Sequence, residues 1–114
     1  MISPISTSLA GLRVFTGKLQ NTANNIANSG TDSYKAKQAA IVEDPAGLPS
    51  LNITLDNTPG AVIQESDGLI RETSNVDLSR EIPSMMIAKR CYEANLKTFK
   101  AQRDILESLL DITA

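Results

Sequence analysis

The stretch NTANNIANSGTDSYK, Asn21 to Lys35, closes an amphipathic segment with four asparagines in eight residues, and the reason for those amides decides the fold. Asparagine is a poor helix former because its short amide competes for nearby backbone groups. A helix that ends this way is held by capping or packing rather than by propensity. Asn21, Asn24, Asn25 and Asn28 recur at spacings of three and four, so they share one side of a helix. Two explanations are open. In one, the amides cap free carbonyls at a fraying end, with Asn28 or Gly30 in the left-handed conformation. In the other, they form an uncharged ladder, each amide both donating and accepting toward neighbouring protein.

Upstream of this run, steps of four and three collect Ile5, Leu9, Leu12, Thr16, Leu19, Ala23 and Ile26, apolar except for Thr16. That is a coiled-coil-like seam. Ser3 before Pro4 supplies a cap and a first helical position, and Gly30 a stop. The spacing predicts a helix from about Pro4 to Asn28, roughly 37 Å long at about 1.5 Å per residue.

The C-terminal segment repeats the pattern over a greater length, through Leu78, Ile82, Met85, Lys89, Tyr92, Leu96, Phe99, Arg103, Leu106 and Leu110. Lys89 and Arg103 can lay their stems along the stripe with their charges at its edge. A second stripe of smaller, mixed residues runs beside it through Ala88, Cys91, Asn95, Thr98, Gln102, Ile105, Leu109 and Ile112. Proline deep inside a helix removes a hydrogen bond and clashes with the preceding turn, so Pro83 predicts either a regular start near Ser79, with Ser79 as cap, Pro83 in the first turn or just beyond and SNVDL as an extended lead-in, or a kink at the proline.

Between the helices, residues 36–75 break into short runs: AAIVEDPAGLP, SLNITLDNTPG, AVIQESDG and LIRETSN. Leu51, Ile53 and Leu55 alternate with polar residues, while Thr58-Pro59-Gly60 and Asp67-Gly68 signal turns. Two to four short strands and a small hairpin are predicted. The fold class is therefore mainly α: N- and C-terminal helices paired in a coiled-coil-like hairpin, with a small β and loop insertion between them. Residues 1–35, 36–75 and 76–114 form one structural unit.

The 114 residues suffice for one modest core. With two Phe, two Tyr and no Trp, that core should be thin and built of Leu, Ile, Val, Met and Ala. A net charge of -2 without a basic run argues against nucleic acid and anionic membranes as partners. Histidine is absent and Cys91 stands alone, which removes the usual zinc ligands, the usual general base and any internal disulfide. No nucleophile lies beside a base, and no phosphate loop or metal spacing is present. Glu81, Glu93 and Asp104 fall on an exposed helix face, so no enzymatic activity, cofactor or metal is expected. The start, MISPISTSLAGL, lacks the charged and apolar regions of a cleaved leader, and no apolar run reaches membrane-spanning length; a soluble chain is expected.

Taken together, the two ends resemble the bacterial flagellar rod and hook proteins. TANNIANSGTDSYKA is similar to their N-terminal signature, an Ala-Asn-Asn-(Ile or Leu)-Ala-Asn close followed by a Gly-Tyr-Lys-like turn. SNVDLSREIPSMMIAKRCYEANLKTFKAQRDILESLLDI resembles their C-terminal one, with an Arg-x-Tyr-Glu-Ala-Asn-x-Lys core and a closing Leu-Leu-Asp-Ile. The short middle region, with VEDPAG and DGLIRETSNVD, is most similar to the proximal rod members. Ser33 stands where the family usually has Gly, Pro83 intrudes near the C-terminal helix start, and the chain is shorter than usual for those members.

The resemblance implies a terminal helix pair in the inner wall of a hollow axial structure, with the middle segment outward. It also implies export through the flagellar type III apparatus without cleavage, location in the basal-body rod across the periplasm, and other axial proteins and copies of itself as partners. By motif it marks Ala23, Asn24, Asn25, Ile26, Ala27, Asn28, Tyr34 and Lys35, and Arg90, Tyr92, Glu93, Ala94, Asn95 and Lys97, as assembly residues. The seams add Leu9, Leu12, Leu19, Ile82, Met85, Leu96, Phe99, Leu106 and Leu110 as helix-pairing and assembly positions. The function expected is a structural rod subunit for motility. The alternative is a soluble helical adaptor or export-associated module that holds one partner with the same seam.

Overall fold

The computed structural model describes residues 3–114. The order of elements is α1 (Pro4–Ala27), β1 (Lys37–Glu43), β2 (Pro49–Leu55), β3 (Val62–Gln64), β4 (Ile70–Glu72) and α2 (Leu78–Thr113). Two helices and two small antiparallel strand pairs thus make up the chain, as its patterning predicts.

α1 starts where the capping pattern places it. Ser3 is extended, at φ -71° and ψ 139°, and its Oγ accepts the Ser6 N–H at 3.4 Å, with Pro4 in the first turn. At the other end the left-handed stop expected at Asn28 or Gly30 is absent. Asn28 has φ -103°, and Gly30 does not take a positive φ. The helix is closed instead by Asn28 folding back, its backbone N–H and its Nδ2 both donating to the Asn24 carbonyl, at 3.1 and 2.9 Å. The left-handed residue comes later, at Ser33, with φ 59°.

β1 and β2 pair antiparallel from Lys37↔Leu55 to Glu43↔Pro49, and β3 and β4 from Val62↔Glu72 to Gln64↔Ile70. Both hairpin turns use a glycine at positive φ, Gly47 at 79° and Gly68 at 86°. In the first, the Asp44 carboxylate also accepts the N–H groups of Ala46 and Leu48, each at 2.9 Å. Leu51, Ile53 and Leu55 stand on one face, and Leu51 meets α1 where Gly17 leaves room: a Cβ there would lie 2.7 Å from the leucine Cδ2.

α2 begins where the Pro83 argument places it, with a different cap. Regular helix starts at Leu78, next to the expected Ser79, but the cap is Asp77, whose Oδ1 accepts the Ser79 N–H at 3.0 Å and the Ser79 hydroxyl at 2.5 Å. Pro83 therefore lies inside the helix, in its second turn. Only one backbone bond is forgone there, a loss that the strong cap offsets. These two Ser79 bonds, the side-chain one first, hold the Asp77 carboxyl below the usual range.

The core differs from the expected one. Among the described residues the buried apolar side chains are Val14, Ala36 and Ala88, beside four buried polar ones, Ser8, Asn21, Thr22 and Asn25. α1 and α2 touch through small groups: Ser8 Oγ donates to Gln102 Oε1 at 3.0 Å, and a Cβ on Gly11 would come within 2.9 Å of the Asn95 amide. The leucines of both helices stay half-buried or exposed beside these contacts. At about 100° per residue, the buried stripe of α1 lies roughly a third of a turn from the Leu9–Leu12–Leu19 seam. The molecule is elongated, 78 × 26 × 16 Å, with a radius of gyration of 20.1 Å. A compact domain of this length would have about 13 Å, so much of its apolar surface is left outside.

Ser33 carries a testable cost. The left-handed conformation disfavours an L-residue by about 1–2 kcal/mol, more than glycine's entropic penalty of about 0.5–1 kcal/mol. Ser33→Gly is expected to stabilise the chain by about 0.5–1 kcal/mol and raise the melting temperature by about 3–6 °C in a thermal scan. An unchanged or lower melting temperature would contradict the assignment of strain to this residue.

Candidate assembly site

The asparagine run of α1 delivers its amides to a single peptide unit. Asn25 is wholly buried; its Nδ2 donates to the Lys37 carbonyl at 2.8 Å, and its Oδ1 accepts the Lys37 N–H and the Tyr34 hydroxyl, each at 3.1 Å. One turn earlier Asn21, on the same side of the helix, donates to the same carbonyl at 2.8 Å. The buried amide thus satisfies both polar groups of the residue that opens β1, which a buried backbone requires.

A second asparagine completes the junction from the other helix. Asn75, just before α2, accepts the Ala36 N–H at 2.7 Å through Oδ1 and donates through Nδ2 to the Asp56 and Thr58 carbonyls at 2.8 and 2.9 Å. The Ala36 carbonyl accepts the Asp56 N–H at 2.8 Å, and the Tyr34 carbonyl accepts the Asn75 N–H at 3.3 Å. Residues 33–37 are therefore gripped by the end of α1, the exit of β2 and the lead-in to α2. Lys35 adds a charged contact, its Nζ bonding the Glu72 carboxylate and, at 3.1 Å, the Thr58 carbonyl. That lysine, followed by the Gly60 N–H at 3.0 Å, holds the Glu72 carboxyl below the ordinary glutamate range.

The sequence-marked residues divide around this junction. Leu12, Leu19, Ile26, Asn28, Tyr34, Met85, Tyr92, Asn95, Leu96 and Phe99 are half-buried, whereas Leu9, Ala23, Asn24, Ile82, Leu106 and Leu110 are exposed. Asn25 requires a correction. It was expected on an amide face turned toward neighbouring subunits, and it is instead sealed inside the chain with every bonding atom occupied. Asn24 keeps the outward position. Spacing did not single out Asn75 or the Lys35–Glu72 pair, although SNVD lay in the C-terminal motif; Asn21 was legible, standing four residues before Asn25.

Beyond Gln102 every residue of α2 is exposed, and the apolar ones form a surface of Ile105, Leu106, Leu109, Leu110 and Ile112, the last 79 % exposed. No helix among the described residues is long and apolar enough to cross a membrane. The described residues hold no group of His, Cys, Asp and Glu able to bind a metal.

Comparison with known proteins bears on both parts. Residues 67–112, which include β4, the Asn75 lead-in and nearly all of α2, match the family model described as flagellar basal body rod FlgEFG protein C-terminal. The chain is similar to the flagellar hook protein FlgE of Escherichia coli strain K12, 37% identical over 98 residues that take in 82% of this chain and 21% of the hook protein. It matches the Salmonella typhimurium hook protein FlgE at 34% over 96 residues, again 82% and 21%. It is also similar to the flagellar basal-body rod protein FlgC of Agrobacterium fabrum, 24% identical over 123 residues, covering 90% of this chain and 88% of that protein. The chain thus spans about a fifth of the hook proteins it matches.

The junction gives a direct prediction. Asn25→Ala removes three bonds from a fully buried position and leaves the Lys37 N–H and the Tyr34 hydroxyl without their acceptor; destabilisation of about 3 kcal/mol or more is expected in urea unfolding. Asn24→Ala, on the exposed side of the same turn, should change stability by no more than about 0.5 kcal/mol. The elements, the junction and the matched segments agree, and the chain belongs to the flagellar rod and hook axial protein family.

Proposed function

We propose that this chain is a structural subunit of the bacterial flagellar basal-body rod, assembling through its helices with other axial proteins and with copies of itself in support of motility. The observation that carries the reading is the coincidence of the family-matched segment, residues 67–112, with the helix whose apolar side chains stay uncovered. A monomer that leaves Leu106, Leu109 and Leu110 in water gains most by burying them against a neighbour. In this reading α1 and α2 act as a coiled-coil-like hairpin that presents Leu9, Ala23, Asn24, Ile82, Leu106 and Leu110 to surrounding subunits, while the strand pairs face away. Passage through the flagellar type III apparatus without a cleaved leader, and residence in the rod across the periplasm, belong to the same reading.

Among family members, the short internal segment favours a rod subunit over the hook protein. Only two two-stranded hairpins and their loops separate α1 from α2, and the rod protein FlgC is matched along most of its length.

The test combines localisation with folding. Leu106→Asp with Leu110→Asp should leave the far-ultraviolet circular dichroism of the purified chain unchanged, since both side chains are already exposed. The same variant should be missing from purified basal bodies, and cells carrying it should not swim. Normal swimming of a strain lacking the gene would overturn the proposal.

A further inference from the structure

The β3–β4 hairpin stands apart. No residue of β3 or β4 has its Cα within 8 Å of one in α1, α2, β1 or β2 among the described residues. Its base is closed by the Thr73 N–H donating to the Ala61 carbonyl at 2.8 Å, and its tip by the Glu65 N–H donating to Leu69 O at 2.8 Å, so it is a complete small unit. Isolated two-stranded hairpins are marginal in water, and Val62, Leu69 and Ile70 are 65%, 65% and 72% exposed, so packing does not hold it in place.

What does hold it is polar and converges on Glu72. Its carbonyl accepts the Ser33 N–H at 2.9 Å, and its carboxylate accepts Lys35 Nζ and the Gly60 N–H. Beside it the Arg71 guanidinium reaches Asp32 at 3.5 Å and Glu65, within the hairpin, at 3.6 Å. Lys35 is the charged group that faces Glu72, whereas Arg71, on the alternate face of the strand, pairs with Asp32 and Glu65.

We propose that the β3–β4 hairpin is a hinged arm, held to the 31–35 turn by the Lys35–Glu72 latch and freed, as a unit, when that carboxylate is neutralised. The remaining ties of the hairpin itself, one backbone bond from Ser33 and one exposed ion pair, are too few to fix its direction, while the bonds of Asn75 and of Lys35 to Thr58 hold only the hinge beneath it. Because Lys35 and Gly60 depress the Glu72 titration, the latch is complete above the ordinary glutamate range. It is lost as pH falls through the lowered folded value.

The test is backbone 15N relaxation on the full chain. In the wild type at neutral pH, the amides of residues 62–72 should have order parameters of about 0.85, like those of Lys37–Glu43. In Glu72→Gln and in Lys35→Met they should fall to about 0.6 or below, with β1, β2 and both helices unchanged. Acidification should loosen the wild-type arm, whereas Glu72→Gln should be loose at every pH; Asp32→Asn, which removes the neighbouring ion pair, should retain the wild-type pH profile. Unaltered order in both latch variants would overturn the proposal. So would a loss of order shared equally by the β1–β2 pair and the helices, or a pH profile that survives in Glu72→Gln.

Discussion

The amide of Asn25 on the peptide of Lys37 is the constraint on which the rest of the structure depends. An isolated helix of mixed composition gains little by forming, and a two-stranded hairpin gains little alone. Here the last turns of α1 and the first residue of β1 satisfy each other's polar groups around the buried Asn25 amide, with Asn21 adding a second bond to the same carbonyl. Asn75 repeats the device from the α2 side, one residue earlier, at Ala36 just before the strand. Both helices therefore leave from one anchored segment, and their mutual orientation follows from hydrogen bonds at its ends as much as from packing along their length.

That arrangement has a consequence for the helices. Ser8, Gly11, Ala88 and Asn95 allow close approach but bury little apolar area, and the contact stabilises accordingly. The large side chains that would make a strong intramolecular core lie on the flanks and along the α2 overhang. The division leaves enough internal structure to define one shape and a large apolar surface outside it, as the proposed rod role would require. The radius of gyration, 20.1 Å, is the geometric expression of the same choice.

Much of this was legible in the residues. The cap at Ser3–Pro4, the two helices, the turn at Gly68 and the alternation of Leu51, Ile53 and Leu55 are local signals, and local physics settles them. The buried stripe was not legible, because hydrophobic periodicity points to Leu9, Leu12 and Leu19, whereas the contact is made where backbones approach, and there small and polar residues win. Asn25 was misplaced for a related reason: composition shows an amide, but only the fold shows that a strand's first peptide lies against it. Pro83 pointed to a start near Ser79, within one residue of the observed Leu78, but not to Asp77 as the cap. The left-handed turn was recognised as atypical at Ser33, yet its conformation depends on the bond from Ser33 to Glu72, thirty-nine residues away in sequence.

The most direct test of the junction is the hydrogen-exchange protection of one amide, that of Lys37, in the isolated chain. If Asn25 organises the fold, this N–H exchanges only through global unfolding, as slowly as the best-protected amides near Ala88 in α2. Rapid exchange at Lys37 while the α2 amides stay protected would show that the helix stands without the junction, and would contradict the account.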